Sequence, residues 1–173
     1  EPLFVPDNCD YYVITDFELP PNSKWKRIDI SKIEIEDLDD IKYSPALLNR
    51  YFKMFPQKVF SDYKYSIYVD GNIRICTDMT EYVNRISDVG VSTFCHSQRC
   101  CVFEEAMACI AMGKETKKNI EHHIRHLEDA GMPHDYGMAQ CSVIVREHNS
   151  AQCVRLMEDW WKEYVAYAKR DQL

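Results

Sequence analysis

The sequence predicts an α/β fold, a mixed and mainly parallel sheet flanked by helices. Three observations predict it. Apolar, β-branched runs alternate along the chain with stretches of helical periodicity. The helical stretches carry start and stop residues at their ends. The 173 residues are 46% hydrophobic, with only five glycines, no repeat and no linker-like segment. That composition describes one domain, residues 1–173, large enough to bury a core.

The first strand is Tyr11-Tyr12-Val13-Ile14-Thr15, aromatic and β-branched, ending at Asp16. Pro20-Pro21-Asn22 is a loop, followed by a short apolar alternation from Trp25 to Ile30. The acidic run Glu34 to Asp40 reads as a solvated loop or a helix start. Ser44-Pro45 places an N-cap and first helical residue ahead of a helix to about Met54, stopped by Pro56. Tyr63 to Val69 is the clearest strand and runs straight into Asp70-Gly71-Asn72, with a second short strand, Ile73 to Cys76, beyond it. Thr77 to Glu81 starts a helix bearing Tyr82, Val83 and Ile86, and Val89 to Phe94 is strand-like. Two helices follow, Val102 to Met112 before Gly113, and Glu115 to Ala130 before Gly131 and Pro133. Ser142 to Arg146 is a strand, and Ser150 to about Lys169 a long helix containing Trp160 and Trp161.

Several function classes fall away on composition. A net charge of −7 argues against nonspecific nucleic-acid binding, which needs basic surface to release counterions. No stretch of eighteen apolar residues is present to span a bilayer, and the opening Glu1-Pro2-Leu3-Phe4 has no leader pattern. The eight cysteines show no C-x-x-C pair, and Cys76 and Cys109 lie in apolar runs, as buried free thiols do. The expectation is a cytoplasmic protein, free or peripheral to the inner face of a membrane.

Asp70-Gly71-Asn72 is the leading chemical candidate. A carboxylate and a second oxygen donor at a strand end suit a hard divalent cation, and glycine lets a ligand approach the backbone. An ordinary Asp-Gly hairpin turn is the competing reading. His96 and Arg99 offer a hydrogen-bond donor and a planar fork for phosphate. Glu104 and Glu105 follow in the first turn of a helix, where the dipole favours carboxylates. Arg146, His148 and Asn149 follow a strand end. His122 and His126 are one helical turn apart, but no third ligand has suitable spacing, so they read as a surface histidine cluster beside the buried Ile120, Ile124 and Leu127. Trp160 and Trp161 read as packing. Cys95 and His96 are adjacent on a strand and point to opposite faces, which disfavours a nucleophile–base pair and a hydrolase.

Tyr65-Ser66-Ile67-Tyr68-Val69-Asp70-Gly71-Asn72-Ile73-Arg74-Ile75 resembles the signature block of a glycosyltransferase-like family of bacterial polysaccharide clusters and plant proteins tied to turgor and mucilage. Further blocks match in order: Asp10 to Asp16, Asn49-Arg50-Tyr51-Phe52-Lys53, His96 to Ala106, Gly131-Met132-Pro133, Val143 to Asn149, Trp160 to Glu163 and Arg170-Asp171-Gln172-Leu173. The family is similar to enzymes of the nucleotide-diphospho-sugar transferase A fold. The resemblance implies transfer of a sugar from a nucleotide-diphosphate donor to a glycan or lipid-linked acceptor, with Mn²⁺ or Mg²⁺ as cofactor. In it, Asp70 and Asn72 form an Asp-x-Asp-like metal motif, with Asn replacing the usual second Asp. Asp70, Gly71, Asn72, His96, Arg99, Arg146 and His148 meet the donor and its phosphates. Glu105, Asp135 and Gln172 face the sugar or acceptor. Asp171 contacts the acceptor or acts as base, together with Gln140, which stands where the family usually has Glu. The resemblance also implies that the family's first strand and glycine-bearing loop precede residue 1. A catalytically silent sugar-nucleotide or glycan-binding module is the alternative.

Overall fold

The computed structural model describes residues 1–34, 41 and 44–173. The acidic run expected as a loop or helix start lies outside the described residues beyond Glu34. In chain order the described elements are strands β1 (Tyr12–Thr15) and β2 (Lys26–Asp29), helix α1 (Pro45–Met54), strands β3 (Ser66–Val69) and β4 (Val91–Cys95), helices α2 (Val102–Ala111) and α3 (Lys117–Asp129), strand β5 (Ala139–Arg146) and helix α4 (Ala151–Ala166). Short 3₁₀ turns occupy Ile30–Lys32, Pro56–Lys58 and Thr80–Arg85.

Local chemistry accounts for the helix starts. Ser44 accepts a hydrogen bond from the Leu47 amide with Pro45 at the first helical position, Thr116 accepts from Asn119, and Ser150 accepts from Cys153. The stretch Ile73 to Cys76 is not a strand, although the Leu3 amide donates to the Ile75 carbonyl at 2.8 Å. The helix expected from Thr77 onward is a single 3₁₀ segment, Thr80–Arg85.

The sheets correct the expected topology. β1 and β2 form a parallel pair, but the larger sheet has the order β3-β5-β4 and is antiparallel on both sides of β5. The cause lies between β4 and β5. One helix would carry the chain across to a parallel neighbour. Here α2 and α3 pack together as a pair and bring the chain back to the end it left, where the His96 amide donates to the Met138 carbonyl and the Gly137 amide to the Cys100 carbonyl. β5 must then run back against β4. Its ladder bulges: Thr93 pairs with Ile144 and the next residue, Phe94, with Gln140. The Thr93 hydroxyl lies 2.8 and 2.7 Å from the carbonyls of Gln140 and Val143 and closes the gap.

This arrangement decides where the site sits. β3 and β4 both run against β5, so their C-terminal ends, Asp70 and His96, share the sheet edge at which β5 begins. On one face of that sheet, Tyr68 and Ile144 are opposite one another, and α1 packs over them through Arg146, whose Nη1 donates to the Lys53 carbonyl at 2.5 Å. Beyond Arg146 the α1–α4 core holds Tyr51, Met54, Phe55, Cys153, Met157 and Tyr164, with Trp160 and Trp161 packed at its margin. Each of these large side chains contributes roughly 1.5–3 kcal/mol of burial. A second cluster joins Ala106, Cys109 and Ile120 to Ala168, so the tail after α4 docks against α2 and α3. All eight cysteines are free thiols; Cys101, Cys109, Cys141 and Cys153 are buried, and Cys76, Cys95 and Cys100 are exposed.

Candidate functional site

β3 delivers Asp70 to the sheet edge. Its amide donates to the Ser142 carbonyl at 2.8 Å, and the Ile73 amide returns to the Asp70 carbonyl at 2.9 Å, closing a tight turn with Gly71 and Asn72 exposed at its centre. Gly71 is the one glycine of the five without a positive φ, and a Cβ built there meets nothing within 4 Å. The turn itself therefore does not need glycine. A cleft of about 580 Å³ opens beside it, walled by Tyr12 and Val13 of β1, by Trp25 just before β2, and by Asp70, Asn72 and Arg74. That volume suits a nucleotide-sized ligand.

Behind the turn is a buried charge cluster. The Lys53 side chain is 1% exposed, and its Nζ lies 2.5 Å from Asp171 Oδ2 and 3.5 Å from Asp70 Oδ1. The Tyr68 hydroxyl donates to Asp70 Oδ1 at 2.7 Å, and Lys53 Nζ sits 4.8 Å from the centre of the Tyr68 ring. Arg50 Nε is 3.1 Å from Asp171 Oδ2. Burial alone would raise the Asp171 carboxyl, but the charges of Lys53 and Arg50 and the Lys53 hydrogen bond outweigh it and hold the group below the usual carboxylate value. Burial, reinforced by the bond to Asp70, pushes the Tyr68 phenol up. The Cys141 thiol beside the cluster is pushed up to about 12, first by burial and then by the charge of Asp171.

The other expected residues fall into two groups. Gln140 lies in the bulge at the same edge as Asp70, and Gln172 is half-buried next to Asp171. His96 is at that edge too, where its Nδ1 accepts from the amides of Gln98 and Arg99 at 3.3 and 3.0 Å. Arg99 turns away to pair through Nε with Glu105, whose side chain is 1% exposed, and Glu105 also accepts from the Cys109 thiol at 3.5 Å. Asp135 is in an exposed turn with φ 54°, its Oδ1 3.6 Å from Cys100 Sγ. Arg146 and His148 lie at the far end of β5 and are buried. Complete burial lowers Arg146 to about 10, and His148 Nε2 bonds to the Phe60 carbonyl at 2.9 Å. In this geometry Arg146, His148 and Arg99 hold the fold rather than line the cleft.

Arg50, Lys53 and Tyr68 are the residues that sequence reasoning left without a role. A signal was present: Lys53 is the one charge in Tyr51-Phe52-Lys53-Met54-Phe55, and a charge within an apolar run is buried only with a partner. The histidine helix also differs from expectation. His122 is exposed and His126 half-buried, but His123 is 2% exposed and stacks on Tyr167 at 5.1 Å.

For a divalent cation the donor set is sparse. Among the described residues no three His, Cys, Asp or Glu side chains converge on a metal-binding group. Asp70 commits Oδ1 to Tyr68 and Lys53, leaving Oδ2 and the neutral Asn72 amide oxygen beside the cleft. Both are oxygen donors, the ligand type of Mg²⁺, which commonly takes most of its other ligands from a diphosphate and water. Among the described residues no helix is long and apolar enough to cross a membrane.

No curated protein and no solved structure matches the chain. A protein-family model does match, over residues 23–173, and that span holds α1, the Asp70 turn, the β3-β5-β4 sheet and the tail with Asp171. The chain belongs to the TOD1/MUCI70, glycosyltransferase-like domain family.

Proposed function

We propose that this chain is a glycosyltransferase that binds a nucleotide-diphosphate sugar in the cleft beside Asp70 and passes the sugar to a glycan or lipid-linked acceptor. The observation that carries the reading is the meeting of Asp70, at a strand end in a nucleotide-sized cleft, with Asp171 through one buried ammonium. The family membership supports glycosyl transfer as the chemistry, and the β3-end carboxylate supports a variant of the nucleotide-diphospho-sugar transferase A architecture.

In this reading the aromatic wall of Tyr12 and Trp25 receives the base, and the exposed Asp70 turn receives the ribose and diphosphate. Transferases of this kind position two substrates and stabilise a leaving diphosphate, so placement matters more than covalent chemistry. Mn²⁺ or Mg²⁺, held by Asp70 and Asn72, supplies positive charge to the diphosphate when bound. Asp171 is a poor proton acceptor while Lys53 and Arg50 hold its pKa down. It acts as their counter-charge, and Gln140 orients a sugar or acceptor hydroxyl. The free thiols fit a reducing compartment, so the proposed location is the cytoplasm or the inner face of a membrane.

A second reading has its own support. Arg99 and Arg146 are committed to Glu105 and the Lys53 carbonyl, and His148 to the Phe60 carbonyl, which leaves Arg74 on the cleft wall to meet a leaving group. That favours a silent sugar-nucleotide or glycan-binding module. Calorimetry with a panel of UDP- and GDP-sugars, with and without Mn²⁺, on the native chain and on Asp70→Ala, tests both. Binding that disappears in the variant supports the donor site, and turnover of the bound donor separates enzyme from binding module. A folded chain that binds no nucleotide sugar overturns the reading.

A further inference from the structure

The buried ammonium of Lys53 lies within ion-pair distance of two carboxylates, Asp171 Oδ2 at 2.5 Å and Asp70 Oδ1 at 3.5 Å. Two carboxylates converging on one point are what a protein uses to hold a divalent cation. Here the point is taken by a side chain that reaches it from α1, with the Tyr68 ring against it and the Lys53 carbonyl clamped by Arg146. Lys53 is 1% exposed, so it neither swings into solvent nor touches a ligand in the cleft. Asp171 is also buried, whereas Asp70 is 31% exposed and has Oδ2 to offer the cleft.

We infer that Lys53 is a positioning residue standing where a bridging metal ion would stand, and that it sets the ion requirement of the site proposed above. Its single fixed charge joins Asp70 and Asp171 into one unit, orients Asp70 through Oδ1, and repels a second cation from the pair. The free protein therefore holds no divalent ion between these carboxylates, and any ion at Asp70 Oδ2 arrives with a diphosphate. Replacing the ammonium by an apolar group of similar length leaves the two carboxylates facing a vacated point, with Arg50 beside Asp171 offsetting only part of their charge, and a cation taken up there offsets the rest.

The inference rests on the proposed site for its purpose, but its test needs no nucleotide, so the two fail separately. The native chain, Lys53→Met and Lys53→Met/Asp171→Asn are titrated with MnCl₂ alone, followed by calorimetry and by the loss of the free-ion paramagnetic signal. The native chain is expected to show no saturable site, Lys53→Met to bind one Mn²⁺ at least roughly tenfold more tightly, and the double variant to lose that gain with its second carboxylate. Saturable Mn²⁺ binding by the native chain that Asp70→Asn abolishes overturns the inference, whatever the variants do. So does a folded Lys53→Met protein that gains no affinity. If Lys53→Met does not fold, Lys53→Gln replaces it, and the native titration with its Asp70→Asn control still decides.

Discussion

Asp70 at the end of β3 and Asp171 in the C-terminal tail meet at one ammonium, that of Lys53, which lies 3.5 Å from the first and 2.5 Å from the second. Three separate stretches of chain thus share one charge balance. The tail reaches the cluster because Ala168 packs among Ala106, Cys109 and Ile120, and because the Lys169 amide donates to Glu115 at 3.1 Å.

Removing one partner of a buried ion pair strands the other, and the penalty is set by how buried the survivor is. Asp171 is 7% exposed at its side chain, so Lys53→Met is expected to destabilise the protein by about 3–5 kcal/mol. Lys53→Met/Asp171→Leu removes both charges and should recover most of that loss. Urea denaturation of the three proteins checks it. A single variant within about 1 kcal/mol of the native chain would mean that solvent and Arg50, already 3.1 Å from Asp171, suffice to offset the carboxylate.

The glycines separate structure from function. Gly90 has φ +79°, and a Cβ there meets Ser150 Oγ at 2.5 Å and Cys153 Cβ at 3.0 Å, the cap of α4 and the residue whose amide it accepts from. Gly90→Ala is expected to cost about 2 kcal/mol or more, from left-handed strain and a displaced cap. Gly71→Ala meets open space and should stay within about 0.5 kcal/mol of native stability. Loss of nucleotide-sugar affinity in that stable variant would show that the glycine is there for the ligand. Unchanged affinity would remove close backbone approach from the proposal.

Much of the fold was legible because it is written locally. Ser44-Pro45, Thr116 and Ser150 start helices by chemistry visible in neighbouring residues, and the Tyr63 to Val69 run ends where its polarity changes. Strand direction was not, because alternation of strands and helices does not say whether a connection crosses the sheet or returns. The α2–α3 pair returns, a fact of packing between Ala106, Cys109 and Ile120 rather than of periodicity. The site divides the same way. Asp70, Gly71, Asn72 and Asp171 stand out in the sequence by motif and resemblance. Lys53 acquires its role only through Asp171, a contact across 118 positions. The resemblance implies Arg146 and His148 as donor ligands, yet burial gives them backbone carbonyls to hold.

Arg99 offers a direct discrimination between a phosphate ligand and a structural ion. Its partner Glu105 is 1% exposed and, among the described residues, has the Cys109 thiol as its other side-chain partner, so Arg99→Ala strands a buried carboxylate. The expected loss is about 3 kcal/mol, and Arg99→Ala/Glu105→Gln should restore part of it. Thermal unfolding reads the stability, and nucleotide-sugar calorimetry at a temperature where every variant is folded reads the binding. A variant of native stability with lost binding would return Arg99 to the donor site.

The stability of the chain should fall on mild acidification, and His123 should account for part of the fall. Its ring is 2% exposed, neither nitrogen has a hydrogen-bond partner among the described residues, and Tyr167, His122, His126 and Glu163 lie around it. Burial lowers its pKa below the ordinary 6.5, outweighing the opposing pull of Glu163. Between the lowered folded value and 6.5 the unfolded chain binds a proton that the folded chain does not. Stability is therefore full above 6.5 and is lost as pH falls beneath it. His123→Phe keeps the stacked ring on Tyr167 and removes two unsatisfied nitrogens, worth on the order of 1 kcal/mol. It should be at least as stable as the native chain at neutral pH and show a shallower decline by pH 5.5. His148, which burial also holds down, retains the rest of the slope. Melting temperatures measured between pH 5 and 8 check it, and parallel curves for the two proteins would show that His123 takes up its proton without opening the α3–Tyr167 contact.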